Sequence, residues 1–246
     1  MTEQEGVIKY QLSHHSRPID AQINLAELNG WRQIMLRLQL IGQDEQRYMG
    51  YGFGNISFRL AEQPGCFLIS GTQTGHLTTL SHQDVAIITR AEPEKNRLES
   101  YGICKPSSEA LTHAIVYQQN PDINAVIHVH SPDIWLNTQK LNIVSTAKDI
   151  PYGTPAMALA VKQLFDNHQL QQQGIISMLG HEDGVLSFAG NLQIASEILV
   201  ESLAKALMLN SLLEQLKKGT EQLDRGEGIP IESKKSLNKL FDDIKN

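Results

Sequence analysis

The sequence predicts an α/β fold around a single core, on three observations. Apolar residues recur at helical spacing over 25–41 (Leu28, Trp31, Met35, Leu38) and again along 191–216. Between them stand short β-rich runs bounded by turn residues, at 67–70, 84–89, 123–130 and 175–179. The chain has 246 residues, 41% of them hydrophobic, which is enough to bury one sizeable core.

Taken in order, residues 1–22 carry His14, His15, Arg17 and Pro18 without periodicity and read as an extended arm with solvated histidines. The amphipathic helix over 25–41 follows and opens the domain proper, 23–216. The glycine-rich stretch 50–55 precedes the strand-like 56–60 rather than opening a helix, which argues against a dinucleotide loop. Its glycines allow close backbone approach to an anion and Asn55 adds an amide donor, although a plain β-turn would use the same residues. The run 67–70 ends in Gly71-Thr72-Gln73-Thr74-Gly75, a second polar turn.

Pro106 and Ser107 read as the start of a helix that reaches about residue 119, where Asn120-Pro121 forbids continuation. Further helices are expected at 132–141 and 155–172. The helix over 191–216 has little polar face, so it should be buried on more than one side, by the sheet and by another subunit. From Lys217 charge and glycine take over as a linker, and Leu237, Leu240, Phe241 and Ile244 then repeat at helical spacing. Residues 217–246 are therefore expected to be a charged linker and a small amphipathic helix.

Reactive groups are densest between Pro106 and Ser131. There Ser107, Ser108 and Glu109 are followed by His128-Val129-His130 on a predicted strand, and the period of two turns both imidazoles to one face. Two such rings can reach one metal ion, since zinc accepts histidine nitrogen at about 2.0–2.1 Å. Buried core histidines are the alternative, but two polar rings together are costly without a shared partner. Composition narrows the remaining classes. No apolar run approaches the ~18 residues of a membrane span, and the polar, acidic start does not read as a signal peptide. Cys66 and Cys104 are the only cysteines, which suits a reducing cytoplasm and offers no cysteine metal site. A net charge of −6 speaks against nucleic acid as a partner.

The order Gly54-Asn55-Ile56-Ser57, Ser70-Gly71-Thr72, Lys105-Pro106-Ser107-Ser108-Glu109, Ala125 to Ser131 with its His-x-His, and a later His181 resembles the class II aldolase/adducin family, over roughly residues 25–212. The resemblance implies a three-layer fold whose central sheet is mainly antiparallel and flanked by helices. It implies zinc held by His128, His130 and His181, with other divalent transition metals suited to the same ligands. It implies a small phosphorylated sugar as substrate, its phosphate held by Gly54, Asn55, Ser70, Gly71, Ser107 and Ser108. It also implies a homotetramer with sites at subunit boundaries. In most relatives the third histidine directly precedes glycine, whereas Glu182 and Asp183 separate His181 from Gly184 here. Asp183 is thus the alternative third ligand, and His181 is preferred because a turn can absorb extra residues.

The activity so implied is a zinc-dependent lyase that makes or breaks a carbon–carbon bond in a ketose phosphate through a metal-stabilised enediolate. Glu109 would move the proton at carbon, and Tyr152 matches loosely the tyrosine general acid that the aldolases supply from an adjacent subunit. A first-turn glutamate favoured by the helix dipole is the alternative for Glu109. The scaffold also serves a methylthioribulose-phosphate dehydratase, epimerases that carry aspartate where Glu109 stands, and the non-catalytic adducin head.

Overall fold

A computed structural model describes residues 7–167, 170 and 174–226. The strands are β1 (Gln11–Ser16), β2 (Gly42–Gln43), β3 (Gly52–Phe53), β4 (Asn55–Arg59), β5 (Phe67–Ser70), β6 (Val85–Glu92), β7 (Arg97–Gly102), β8 (Ala125–His130), β9 (Val144–Thr146), β10 (Ile175–Met178) and β11 (Gly184–Ala189). The helices are α1 (Ala26–Arg37), α2 (Ala110–Gln119), α3 (Pro132–Leu136), α4 (Pro155–Asp166) and α5 (Leu192–Asp224).

Nine strands form one sheet in the order β1-β7-β6-β5-β4-β8-β11-β10-β9. Every pairing in its interior is antiparallel, and only the two edge pairs, β1 with β7 and β9 with β10, run parallel. β8 lies near the middle, between β4 and β11, with all six residues buried. Its alternation splits the core in two. Ala125, Ile127 and Val129 join the cluster of Leu28 and Met35 from α1 and Leu199 and Leu203 from α5. Val126 joins Ala114 and Ile115 of α2 and Met157 and Val161 of α4. This is the three-layer α/β arrangement expected, with His128 and His130 on the face of Val126.

Several elements depart from the sequence expectations. Part of the 1–22 arm is an edge strand, β1, in which His14 Nδ1 lies 2.9 Å from Ser100 Oγ. α2 begins at Ala110, not at Pro106, because the preceding turn is held by the sheet. Pro106 bridges Gly71 and Ser107 N donates to Ser70 O at 3.1 Å. α3 and α4 stop short of the expected 141 and 172. α5 continues helically through Lys217 to Asp224, across the start of the expected linker. The predicted helix around Leu237–Ile244 and His168 lie outside the described residues.

The chain divides into two units between Ala206 and Leu207. In the first, α5 buries Leu192, Ala195, Ser196, Leu199, Leu203 and Ala206. In the second, Leu207, Met208, Leu212, Leu213 and Leu216 are exposed. Among the described residues no helix is long and apolar enough to cross a membrane.

Candidate metal centre

His128 and His130 come from the end of β8, where register sets His128 against Asn55 of β4 and Leu186 of β11, and His130 against Gly184. His181 comes from the β10–β11 turn, which is closed by His181 N donating to Met178 O and Gly184 N donating to His181 O, both at 2.9 Å. All three imidazoles are buried, with ring centroids 4.8–5.1 Å apart. One nitrogen from each lies within 4.8 Å of the others, the only such metal-capable trio among the described residues. His128 Nδ1 sits 3.2 Å from Val185 O, and since a carbonyl can only accept, Nδ1 carries the proton and the lone pair is on Nε2. A neutral imidazole oriented by a backbone carbonyl is the usual form of a histidine ligand. The donor set therefore fits zinc or another divalent transition metal.

The expected anion-binding residues gather beside this cluster. Gly54, Asn55, Gly71, Ser107 and Ser108 line one small polar cavity together with Gly52 and residues 72–75. Gly54 has φ +72°, and a Cβ there would stand 2.6 Å from Ile41 Cγ1 and 3.1 Å from His128 O, so only glycine fits between cavity and histidine strand. Asn55 is 4% exposed, and its Oδ1 has no hydrogen-bond partner among the described residues. Ser70 differs from the other five. It is not among the cavity's lining residues, and its Oγ accepts from Ile56 N at 3.2 Å.

Glu109 is 1% exposed and immediately precedes α2. Thr112 Oγ1 donates to its Oε2 at 2.7 Å, and Glu109 N donates to Ser107 Oγ at 3.3 Å, so the carboxylate and the serine turn are fixed together. Tyr10, from the arm, donates its hydroxyl to Ser107 O at 2.8 Å. Burial, and secondarily the Glu109 charge, push the Tyr10 pKa well above the usual phenol range. Tyr152 is fully buried and stacks on His181 of its own chain, centroids 4.3 Å apart, with Lys9 Nζ 3.5 Å from the ring centroid.

Asp183, the alternative ligand, is engaged elsewhere. Its Oδ2 accepts from Tyr48 OH at 2.6 Å, and Arg47 donates to the same hydroxyl at 2.9 Å. Two further residues, Tyr48 and Arg32, carry no motif that would have singled them out, and His113 was expected to be structural. Tyr48 packs edge-on to His130 at 4.6 Å. Arg32 of α1 is 1% exposed and holds the cavity turn from within the protein, donating to Thr74 O at 2.7 Å and to Leu77 O. Desolvation lowers its pKa to about 10. His113, near Glu109 in sequence, is fully buried. Its Nδ1 lies 2.7 Å from Ser57 Oγ, and burial pushes its pKa down to about 3.

Residues 42–207 match the model of the class II aldolase and adducin N-terminal domain. The chain belongs to this family. Among solved class II aldolase structures, an L-fuculose 1-phosphate aldolase superposes with a TM-score of 0.58 over 93% of this chain and 99% of its own, at 18% identity, which speaks to the fold. The methylthioribulose-1-phosphate dehydratase of Gluconacetobacter diazotrophicus is 38% identical over 78 residues, 32% of this chain and 34% of that protein. The 3-oxo-tetronate 4-phosphate decarboxylase of Haemophilus influenzae is 33% identical over 87 residues, 35% of this chain and 37% of that protein. The matched stretch thus spans about a third of the length of these curated relatives.

Proposed function

We propose that the protein is a metal-dependent lyase that makes or breaks a carbon–carbon bond in a small phosphorylated ketose. The observation that carries this reading is the convergence of three buried imidazoles beside a polar cavity whose rim includes Ser107 and Ser108, with the buried Glu109 next in sequence. His128, His130 and His181 would hold the ion, zinc by preference. When bound, the ion would supply Lewis acidity toward the substrate's carbonyl and hydroxyl oxygens, stabilising the charge that bond cleavage leaves behind.

The chain's own residues supply the rest. Asn55, Ser107 and Ser108 would offer side-chain donors to a phosphate that Gly54 and Gly71 allow to approach closely, the Gly71 N–H itself being donated to Asp84 O at 2.8 Å. Ser70 supports that turn through its carbonyl, which accepts from Ser107 N. Glu109, steadied by Thr112, takes and returns the proton at carbon. Tyr152, against His181, is the candidate general acid, protonating the aldehyde oxygen as the bond forms and taking the hydroxyl proton back as it breaks. The exposed apolar side chains of α5, Leu207, Met208, Leu212, Leu213 and Leu216, suit burial by further copies, in line with the tetramer expected from the family.

Dehydration is the second reading, favoured by the local identity with the methylthioribulose-1-phosphate dehydratase. In it Glu109 would take the proton from the carbon beside the carbonyl and water would leave from the next carbon, whereas in cleavage an aldehyde leaves and Glu109 returns a proton to the carbon left behind. Incubating the metal-loaded protein with phosphorylated ketoses and with methylthioribulose phosphate separates the two. An aldehyde product supports the lyase, and a product lighter by one water supports the dehydratase. Absence of turnover on every phosphorylated ketose would defeat the proposal.

A further inference from the structure

Of the two residues that separate His181 from Gly184, Glu182 is exposed and Asp183 is held by the protein. Asp183 adopts φ +59°, its carbonyl accepts from Ser131 N at 2.8 Å, and its carboxylate receives the Tyr48 hydroxyl at 2.6 Å. At the other end of that bond, Tyr48, Met49 and Gly50 have φ of +49°, +58° and +78° in succession. Left-handed backbone is costly for residues with a Cβ, and it persists only where surrounding contacts impose it. Two strained segments, 135 residues apart in sequence, are therefore joined by one short hydrogen bond.

What those segments support gives the bond its meaning. Tyr48 packs edge-on to His130, with centroids 4.6 Å apart and planes at 70°, and Phe53 packs at 5.6 Å from the same imidazole and 5.0 Å from Tyr48. Arg47 donates to the Tyr48 hydroxyl and lies 4.5 Å over the Phe53 ring, so the aromatic wall is braced from behind. Asp183 sits in the same turn as His181. The Tyr48–Asp183 bond thus connects the wall that orients one imidazole to the turn that carries another.

We propose that Tyr48 and Asp183 form a latch that positions His130 and His181 at their working separation before the ion arrives. This inference rests on reading the three histidines as a metal centre. It accounts for the lengthened His181–Gly184 turn as a support that the family pattern lacks, and it gives Asp183 a positioning role in place of ligation. Groups that orient histidine ligands typically change metal affinity by about 10–100-fold when removed.

Titration of the full-length, metal-free protein with cobalt(II) chloride, followed by visible absorption, tests the latch without any substrate. Tyr48→Phe keeps the ring and deletes only the hydroxyl, and Asp183→Ala deletes the acceptor. Each should weaken cobalt binding by about 10–100-fold and alter the visible band that reports ligand geometry. Asp183→Asn, whose amide oxygen still accepts from the Tyr48 hydroxyl, should recover most of the affinity. The Tyr48→Phe/Asp183→Ala double variant should bind about as well as the weaker single variant, because both changes remove one bond. Cobalt affinities and spectra like wild type in Tyr48→Phe would overturn the latch, as would fully additive losses in the double variant. Wild-type protein that takes up no cobalt would sink the metal reading and the latch together, whereas normal wild-type uptake with unaffected variants removes the latch alone.

Discussion

The molecule buries histidine in two ways. His113 sits within the α2 core, where Ser57 Oγ lies 2.7 Å from its Nδ1 and 2.7 Å from the Tyr117 hydroxyl. His128, His130 and His181 are equally buried but stand against one another, with one nitrogen of each within 4.8 Å of the others. Burial is the same in both places and the partners differ. The Ser57 hydroxyl holds one nitrogen of His113 while its Nε2 has no partner among the described residues, leaving a lone neutral imidazole in an apolar core, whereas the other three imidazoles pack on one another in an arrangement that suits a shared cation. Convergence, and not burial, marks the candidate site.

The largest expected effect that sharpens this contrast lies at Glu109. Glu109→Gln keeps the shape and the Thr112 contact but cannot take a proton, so turnover should fall about 10²–10⁴-fold while metal content stays at the wild-type level. Steady-state kinetics with parallel metal analysis reads both, and unchanged turnover would return Glu109 to a structural role at the helix start.

Gly54→Ala should come next. A Cβ at φ +72°, wedged between Ile41 and the His128 carbonyl, should destabilise the fold by about 1–3 kcal/mol. Denaturant unfolding measures this, and a variant as stable as wild type would mean that the cavity wall yields easily.

His113 offers a pH test of the opposite half of the comparison. Its folded pKa of about 3 lies below the unfolded value near 6.5, so the unfolded chain binds the extra proton between them. The stability it contributes is present above that window and is lost as pH falls through it, with a slope of at most about 1.4 kcal/mol per unit. His113→Gln should flatten the slope between pH 6 and 4 while leaving metal content intact. A slope identical to wild type would contradict the neutral core assignment. Tyr117→Phe is the mildest change, removing one hydroxyl from the Ser57 pair at a cost of about 1 kcal/mol.

These positions differ in how legible they were. Strand alternation in 123–130 was enough to put His128 and His130 on one face, and their arrival beside Asn55 and Gly54 follows from the register of β4 against β8. The position of Ser107 and Ser108 was readable, but their role as a helix start was not, because the sheet captures Pro106 and Ser107 before α2 begins. Ser107 Oγ still accepts from Glu109 N at 3.3 Å, so part of the expected cap chemistry survives ahead of the displaced helix start. β1, β7, β9 and β11 escaped notice because short strands with mixed polar residues carry little periodic signal. The charged residues after Leu216 signalled a linker by composition, although lysine, glutamate and leucine are good helix formers and α5 runs on to Asp224. Arg32 beneath the cavity turn and Tyr48 on Asp183 are contacts between distant residues with no motif, visible only once the chain is folded.

Metal content settles the central comparison most directly. Wild-type protein and His113→Gln, purified identically and analysed by inductively coupled plasma mass spectrometry, should each carry about one divalent transition metal ion per chain. His128→Ala, His130→Ala and His181→Ala should each fall to background while remaining folded by circular dichroism. Full occupancy in any of those three alanine variants, or loss of metal in His113→Gln, would contradict the account.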